Sequence, residues 1–170
     1  MRVLEVGCGE GHQAIYLANK GMIVHAVDSS QKAIKYAIEN AKTSRADVEF
    51  EVKGHHELDR MKGKFDFIFD WRFLQEITDE DMRERFFISI NRLLGPKGKY
   101  LSVEFSGDSD FMGNGKLRTS SVGIKIYFAT LEESKRIFGK YFRIIEARHI
   151  TLPQKPNMNI LANYMLCERI

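Results

Sequence analysis

Two periods of apolar residues alternate along the chain, one of strands and one of helices. Val3-Leu4-Glu5-Val6 is a short, mostly apolar run that breaks at Gly7-Cys8-Gly9-Glu10-Gly11. From about His12 to Lys20 the period becomes helical, with Ala14, Ile15, Leu17 and Ala18 on one face and Gly21 as the stop. Ile23 to Val27 is a second strand ending at Asp28, and Ser29 or Ser30 can cap a helix carrying Ala33, Ile34, Ala37, Ile38 and Ala41. Val48 to Val52 alternates with acidic residues, as a half-exposed strand does. Phe65 to Phe69 is a more apolar strand ending at Asp70. Asp79 to Leu94 reads as a helix with Phe86, Phe87, Ile90, Leu93 and Leu94 buried, Gly95-Pro96-Lys97-Gly98 as a tight turn, and Tyr100 to Phe105 as a fifth strand.

The pattern then lapses. Ser106 to Gly123 is rich in Gly, Ser and Asp and shows no clear period, which predicts a long loop of the active-site-lid kind. Thr130 with Glu133 makes a capping box for a helix to about Gly139. Arg143 to Leu152 and Ile160 to Glu168 read as two closing strands joined by Pro153 to Asn159. Strands alternating with helices, then two strands in succession, predict an α/β fold with a mostly parallel sheet and an antiparallel ending. With 170 residues, this fits one domain over 1–170.

Composition adds few constraints. Cys8 and Cys167 are far apart, with no CxxC or zinc spacing, so free thiols in a reducing, cytoplasmic setting are expected and no metal site is. No run of 18 apolar residues exists, so no membrane span is expected. The net charge of +3 is too small to point to nucleic acid. It is unevenly spread: residues 1–85 hold 13 Lys+Arg against 16 Asp+Glu, and residues 86–170 hold 13 against 7. The basic half suits either an anionic substrate or simply a solvated surface.

The glycine turn carries the chemistry. Glycines after a first strand permit positive φ and let a ligand meet the main chain without a Cβ. In an open α/β sheet that strand end borders the ligand crevice. The spacing is G-x-G-x-G; a dinucleotide fingerprint would need a third glycine at position 12, which is His12. Glu10 would also oppose a pyrophosphate at the helix N-terminus. A sulfonium ligand without phosphates tolerates these residues better, which disfavours a nicotinamide oxidoreductase. Asp28, 17 residues after Gly11, can accept hydrogen bonds from ribose hydroxyls; a turn or capping aspartate is its plainer alternative.

With these residues the chain resembles the class I S-adenosylmethionine-dependent methyltransferases over nearly its whole length. The E-x-G-x-G-x-G loop, the acid after strand two, Asp70 after strand four and the Gly95–Gly98 turn fall in family order. Segments 70–74 and 100–103 are similar to the thiopurine S-methyltransferase and tellurite-resistance branch. The resemblance implies a Rossmann-like three-layer sandwich with a seven-stranded sheet of order 3-2-1-4-5-7-6, its last strand antiparallel. S-adenosylmethionine is the implied cofactor. Gly7, Gly9 and Gly11, with Cys8 among them, would line its methionine and ribose parts, and Glu5 would orient the loop or the amino group. Asp28 would hold the ribose, Ser29 would lie beside adenine, His55 and His56 would flank adenine, and Asp70 and Trp71 would lie near the transferred methyl. Relatives often have an aspartate where His55 stands. A metal role for the two histidines lacks supporting ligands.

The resemblance also implies one or two cover helices before strand one, and this sequence has none. That leaves a minimal protein, a homo-oligomer whose partner chain supplies the cover, or a shortened start. The acceptor is expected to be a small molecule, a thiol or a chalcogen or metalloid compound, walled by Trp71, Phe73, Phe111 and Tyr127 under the lid. Arg72, or Lys116 and Arg118 in the lid, could meet an acidic acceptor. The rival readings are a non-catalytic S-adenosylmethionine-binding module and an RNA or protein methyltransferase. The sequence after strand four, Asp70-Trp71-Arg72-Phe73, lacks the Asn/Asp-Pro-Pro-Tyr signature of amino-group methylation on nucleic acid.

Overall fold

The computed structural model describes residues 1–155 and 158–170. Its strands are β1 (Arg2–Val6), β2 (Ile23–Asp28), β3 (Val48–Val52), β4 (Phe65–Trp71), β5 (Leu94–Phe105), β6 (Leu117–Thr119), β7 (Lys125–Tyr127), β8 (Phe142–Lys155) and β9 (Met158–Arg169). Its α-helices are α1 (His12–Asn19), α2 (Gln31–Ser44), α3 (Glu80–Leu93) and α4 (Leu131–Phe138), and two 3-10 turns cover His55–Arg60 and Leu74–Glu76. Seven strands form one sheet in the order β3-β2-β1-β4-β5-β9-β8. β1 to β5 are parallel and β9 runs antiparallel between β5 and β8. The order departs from the expected numbering only because β6 and β7, a separate hairpin, intervene before the last two sheet strands.

Local chemistry places the helices. Ser30, rather than Ser29, caps α2 by accepting the Ala33 N–H at 3.2 Å. Asp79 caps α3 through Met82, and Thr130 and Glu133 close their reciprocal box on α4. Two layers of apolar side chains then bury the sheet. On one side Leu4, Val6, Phe65, Ile68 and Tyr100 of the sheet cluster with Phe86, Phe87 and Ile90 of α3 and Phe138 of α4, and on the other Val3, Val24 and Ala26 cluster with Ala14 of α1 and Ile34 of α2. A third cluster, Val103, Phe105, Ile126, Phe128, Leu152 and Ile160, lies where the lid meets the ends of β5, β8 and β9. The Gly95–Gly98 turn is absorbed into β5 as an irregularity, with Lys97 at φ 58 and the β4 register shifting between Phe65 and Phe67. The closing strands pair as far as Lys155 with Met158, so the described part of the expected connection from Pro153 to Asn159 is strand; residues 156 and 157 lie outside the described residues. No helix among the described residues is long and apolar enough to cross a membrane.

The lid departs most from expectation. Residues 106–123 contain β6, which pairs with β7. Arg118, read as a candidate for an acidic acceptor, is 6% exposed and turned into the lid itself. It donates to the carbonyls of Ser109 and Phe111 at 2.7 Å and of Gly115 at 2.9 Å, and its guanidinium stacks 4.1 Å from the Phe128 ring centre. Lys116 is paired with Glu133 at 2.7 Å. Both cations are thus engaged by partners within the protein. Replacing Arg118 with alanine strands three carbonyls and is expected to cost about 2–3 kcal/mol. Limited proteolysis should then cut first between residues 106 and 123, and an unchanged cleavage pattern would show that the lid is held by something else.

Candidate functional site

Where β1, β2, β4 and β5 end on the same side of the sheet, a crevice of about 430 Å3 opens. Gly7, Gly9, Asp28, Trp71, Arg72, Phe73 and Phe111 line it, together with Gln75, Glu76, Phe105, Met112 and Ile126. It sits at the carboxyl ends of the parallel strands, where an open α/β sheet leaves room for a ligand.

The glycine loop forms one wall. The N–H groups of Gly7 and Cys8 both donate to the Val27 carbonyl, at 2.8 and 3.0 Å, which bends the chain sharply back over β2. Gly9 has φ 53, and a Cβ built on it would meet nothing within 4 Å, so bare main chain faces open space there. Gly7, at φ 71, is covered instead: an added Cβ would lie 2.5 Å from the Phe73 ring. Gly11 does not line the crevice. It is buried beneath Phe50 and Ala37, where its left-handed backbone starts α1.

Asp28 fixes this wall. One carboxylate oxygen accepts the Gly9 N–H at 2.8 Å and the other accepts the Ser30 N–H at 2.9 Å. Each oxygen keeps a further lone pair for a ligand. Glu5 lies beneath, 1% exposed, and accepts a backbone hydrogen bond from Ala14 at the start of α1. Its Oε2 has no hydrogen-bond partner among the described residues. Burial first, then the nearby charges of Asp28 and Asp70, push the Glu5 pKa up to about 8.

Several expected site residues lie outside the crevice. The Cys8 side chain is 5% exposed and packs with Val3 and Ala14; burial and the charges of Glu5 and Asp28 push its thiol far up, so it is neither a ligand wall nor a nucleophile. Asp70 is fully buried under the β4 end and does not line the crevice. It accepts the Tyr100 hydroxyl at 2.6 Å and the Leu74 N–H at 3.0 Å, and so pins the turn that carries Trp71 to Glu76. Burial raises its pKa to about 6. Ser29 is exposed at the strand end. His55 sits behind the wall, its ring 6.0 Å from Phe73 with Nε2 unpartnered, while the exposed His56 lies over Gly54. Tyr127 points to the opposite face of the hairpin from Ile126. It lines a separate cavity with Arg83 and Lys116, and Arg83 stacks 4.0 Å above its ring.

The structure adds Gln75, Glu76, Phe105, Met112 and Ile126 to the site. Gln75 is 3% exposed; its Oε1 accepts the Phe105 N–H at 2.7 Å, which turns Nε2 away from that contact. Glu76 stands at the mouth, where partial burial and then the charge of Asp28 raise its pKa, against the opposing pull of Arg72. Their sequence signal was position: polar residues directly after a strand that ends at the crevice.

Could these residues hold S-adenosylmethionine? The loop gives bare main chain at Gly9, Asp28 offers spare lone pairs, and Glu5 has an orphaned buried oxygen. Carboxylates outnumber the one lining cation, Arg72, which suits a ligand carrying an ammonium and a sulfonium and opposes one carrying phosphates.

Comparison with known proteins agrees. Residues 3–98 match the family described as "Methyltransferase domain". An uncharacterized methyltransferase of Schizosaccharomyces pombe is 33% identical over 79 residues, 46% of this chain and 54% of that protein. The 2-heptyl-1-hydroxyquinolin-4(1H)-one methyltransferase of Mycobacteroides abscessus is 32% identical over 107 residues, 61% of this chain and 45% of its own length. The chain thus spans about half the length of these curated relatives. Among solved structures, a SAM-dependent methyltransferase from Methanosarcina mazei superposes with a TM-score of 0.85 at 22% identity, over 99% of this chain and 92% of that one. By the family match over more than half its residues, and with the fold of that structure, this chain belongs to the methyltransferase domain family, class I and S-adenosylmethionine-dependent.

Proposed function

We propose that the protein transfers a methyl group from S-adenosylmethionine to a small, apolar organic acceptor. The observation that carries this is the two-sided crevice. Gly9 and Asp28 present bare main chain and a carboxylate on one side, and Trp71, Phe105, Phe111, Met112 and Ile126 make an apolar wall on the other. The M. abscessus relative is named for a heptyl-bearing quinolinone, an acceptor of that kind. The branch resemblance of segments 70–74 and 100–103 points to a thiol, and an aromatic thiol suits the same wall. A metalloid oxyanion suits it less, because Arg72 faces the carboxylates of Asp28 and Glu76.

The chemistry that S-adenosylmethionine supplies when bound is an electrophilic methyl on a cationic sulfur, already activated for displacement. The chain's own task is alignment and exclusion of water. Asp28 takes the ribose hydroxyls while holding the Gly9 loop in shape. Gly9 leaves room for the methionine part, and Trp71 with Phe111 covers the reacting face. The two free, buried thiols accord with a cytoplasmic setting.

Thermal unfolding tests this reading. Saturating S-adenosylhomocysteine, at about 100 times its Kd, should stabilise the protein by about 2.7 kcal/mol and raise Tm by about 5–10 °C, with NAD giving no shift. Trp71 is the single tryptophan, so its fluorescence should change in the same titration. A shift with NAD alone, or silence with both ligands, would overturn the proposal.

A further inference from the structure

Gln75 and Glu76 are adjacent on the 3-10 turn Leu74–Glu76, between the Asp28 end of the crevice and its apolar wall. The turn is rigid at its root, because buried Asp70 holds the Leu74 N–H and is itself held by Tyr100. The Gln75 amide is oriented by chemistry: the Phe105 N–H is a donor, so it must meet the oxygen, and the NH2 group is the end left over. Nε2 makes no hydrogen bond among the described residues, yet its residue is 3% exposed and lines the crevice. With Oε1 committed to Phe105, Nε2 is the donor that Gln75 can offer to whatever fills the crevice its residue lines. Beside it, Glu76 is the lining carboxylate that is not already tied to the glycine loop, as Asp28 is.

We propose that Gln75 and Glu76 are the polar clamp of the acceptor site. Gln75 donates to one lone pair of the acceptor's reacting oxygen, and Glu76 acts as the general base that takes its proton. This rests on the methyltransferase reading above and narrows its substrate class to planar, apolar molecules bearing an ionisable O–H. The balance is simple. The acceptor's lone pair forms the new bond to the methyl carbon, the carbon–sulfur bond breaks with its electrons going to sulfur, and the proton passes to the Glu76 carboxylate and then to water. A thiol that is already ionised needs no such base, so the clamp would be wasted on it.

The experiment compares the whole chain with Glu76→Gln and Gln75→Ala, using 4-hydroxyquinoline and thiophenol as acceptor probes. Calorimetry with S-adenosylhomocysteine is run on all three proteins, and acceptor binding in its presence is followed by Trp71 fluorescence. For Glu76→Gln, kcat/KM for the hydroxyquinoline should fall about 100-fold or more, at least tenfold further than for thiophenol, chiefly in kcat. For Gln75→Ala the fluorescence titration should show weaker hydroxyquinoline binding by about tenfold. Equal losses on both acceptors, no loss, or no fluorescence change with hydroxyquinoline would overturn the clamp while leaving methyl transfer standing. Failure of the wild-type chain to bind S-adenosylhomocysteine would instead overturn the reading beneath it.

Discussion

Replacing Asp28 with alanine should abolish measurable binding of S-adenosylhomocysteine in a calorimetric titration. Two losses combine. The first is to the protein: the carboxylate accepts the N–H groups of Gly9 and Ser30, and hydrogen bonds to a charged acceptor contribute about 1.5–3 kcal/mol each. Without them the glycine loop keeps the Gly7 and Cys8 contacts to Val27 and the Asn40 amide's donation to the Glu10 carbonyl. The second is to the ligand, whose ribose hydroxyls lose their acceptor. Asp28→Asn does not spare the loop. An amide has one accepting oxygen, so one of the two N–H groups would face an NH2 donor, and the loop should be pushed out of place almost as far as in the alanine variant. Weakening of at least about 100-fold is expected for Asn, with a lower Tm for both variants. Undiminished affinity in Asp28→Ala would mean that Asp28 is a turn residue and that the sugar is held elsewhere.

How much of this could be read from the sequence depended on how strongly each residue's chemistry constrains its backbone. β1 was legible because a strand covered on both faces becomes a near-continuous apolar run, as Val3, Leu4 and Val6 are. Gly9 and Asp28 were legible for a similar reason: few residue types serve a positive φ beside a ligand, or a carboxylate at a strand end. The lid was not, because its order comes from Arg118 reaching carbonyls several residues away, and a three-residue strand shows no period. Tyr127 fell on the wrong face for the same cause. In a strand as short as β7 nothing fixes the phase, and one residue's slip exchanges Tyr127 for Ile126 at the crevice. Cys8 and Asp70 stand at the expected positions but point into the protein, and residue identity does not say whether a side chain at a strand end turns toward the crevice or away from it. Gln75 and Glu76 lie on a 3-10 turn too short to carry a pattern, so only its attachment to Asp70 gives them their direction.

Asp70 and Glu5 lead to the second large effect: without ligand, the protein should lose stability as pH rises from 5 to 8. Three buried carboxyls set the sign. Burial lifts Glu5 to about 8, Glu104 to about 7 and Asp70 to about 6, each above its value in the unfolded chain. Between the unfolded and folded pKa the native state therefore binds more protons than the unfolded one. Stability falls with pH across that window, opposite to a carboxylate paired with a cation. Glu5 is the largest contributor, since Ala14 is its one backbone donor and its Oε2 has none; ionising it should cost about 3–5 kcal/mol, a sizeable part of a domain's usual 5–15. Tm is expected to drop by about 10 °C between pH 5.5 and 8, and Glu5→Gln should recover much of that at pH 8. A cationic ligand above Glu5 favours the ionised carboxylate. S-adenosylmethionine should accordingly bind more tightly at pH 8 than at pH 6, with proton release visible as a binding enthalpy that depends on the buffer. Glu5→Gln should lose both the release and the pH dependence while gaining stability, the signature of a residue whose buried charge is tolerated for the ligand's sake. A Tm that climbs with pH, or a glutamine variant less stable at pH 8, would mean that the orphaned oxygen has a partner and that Glu5 serves the fold alone.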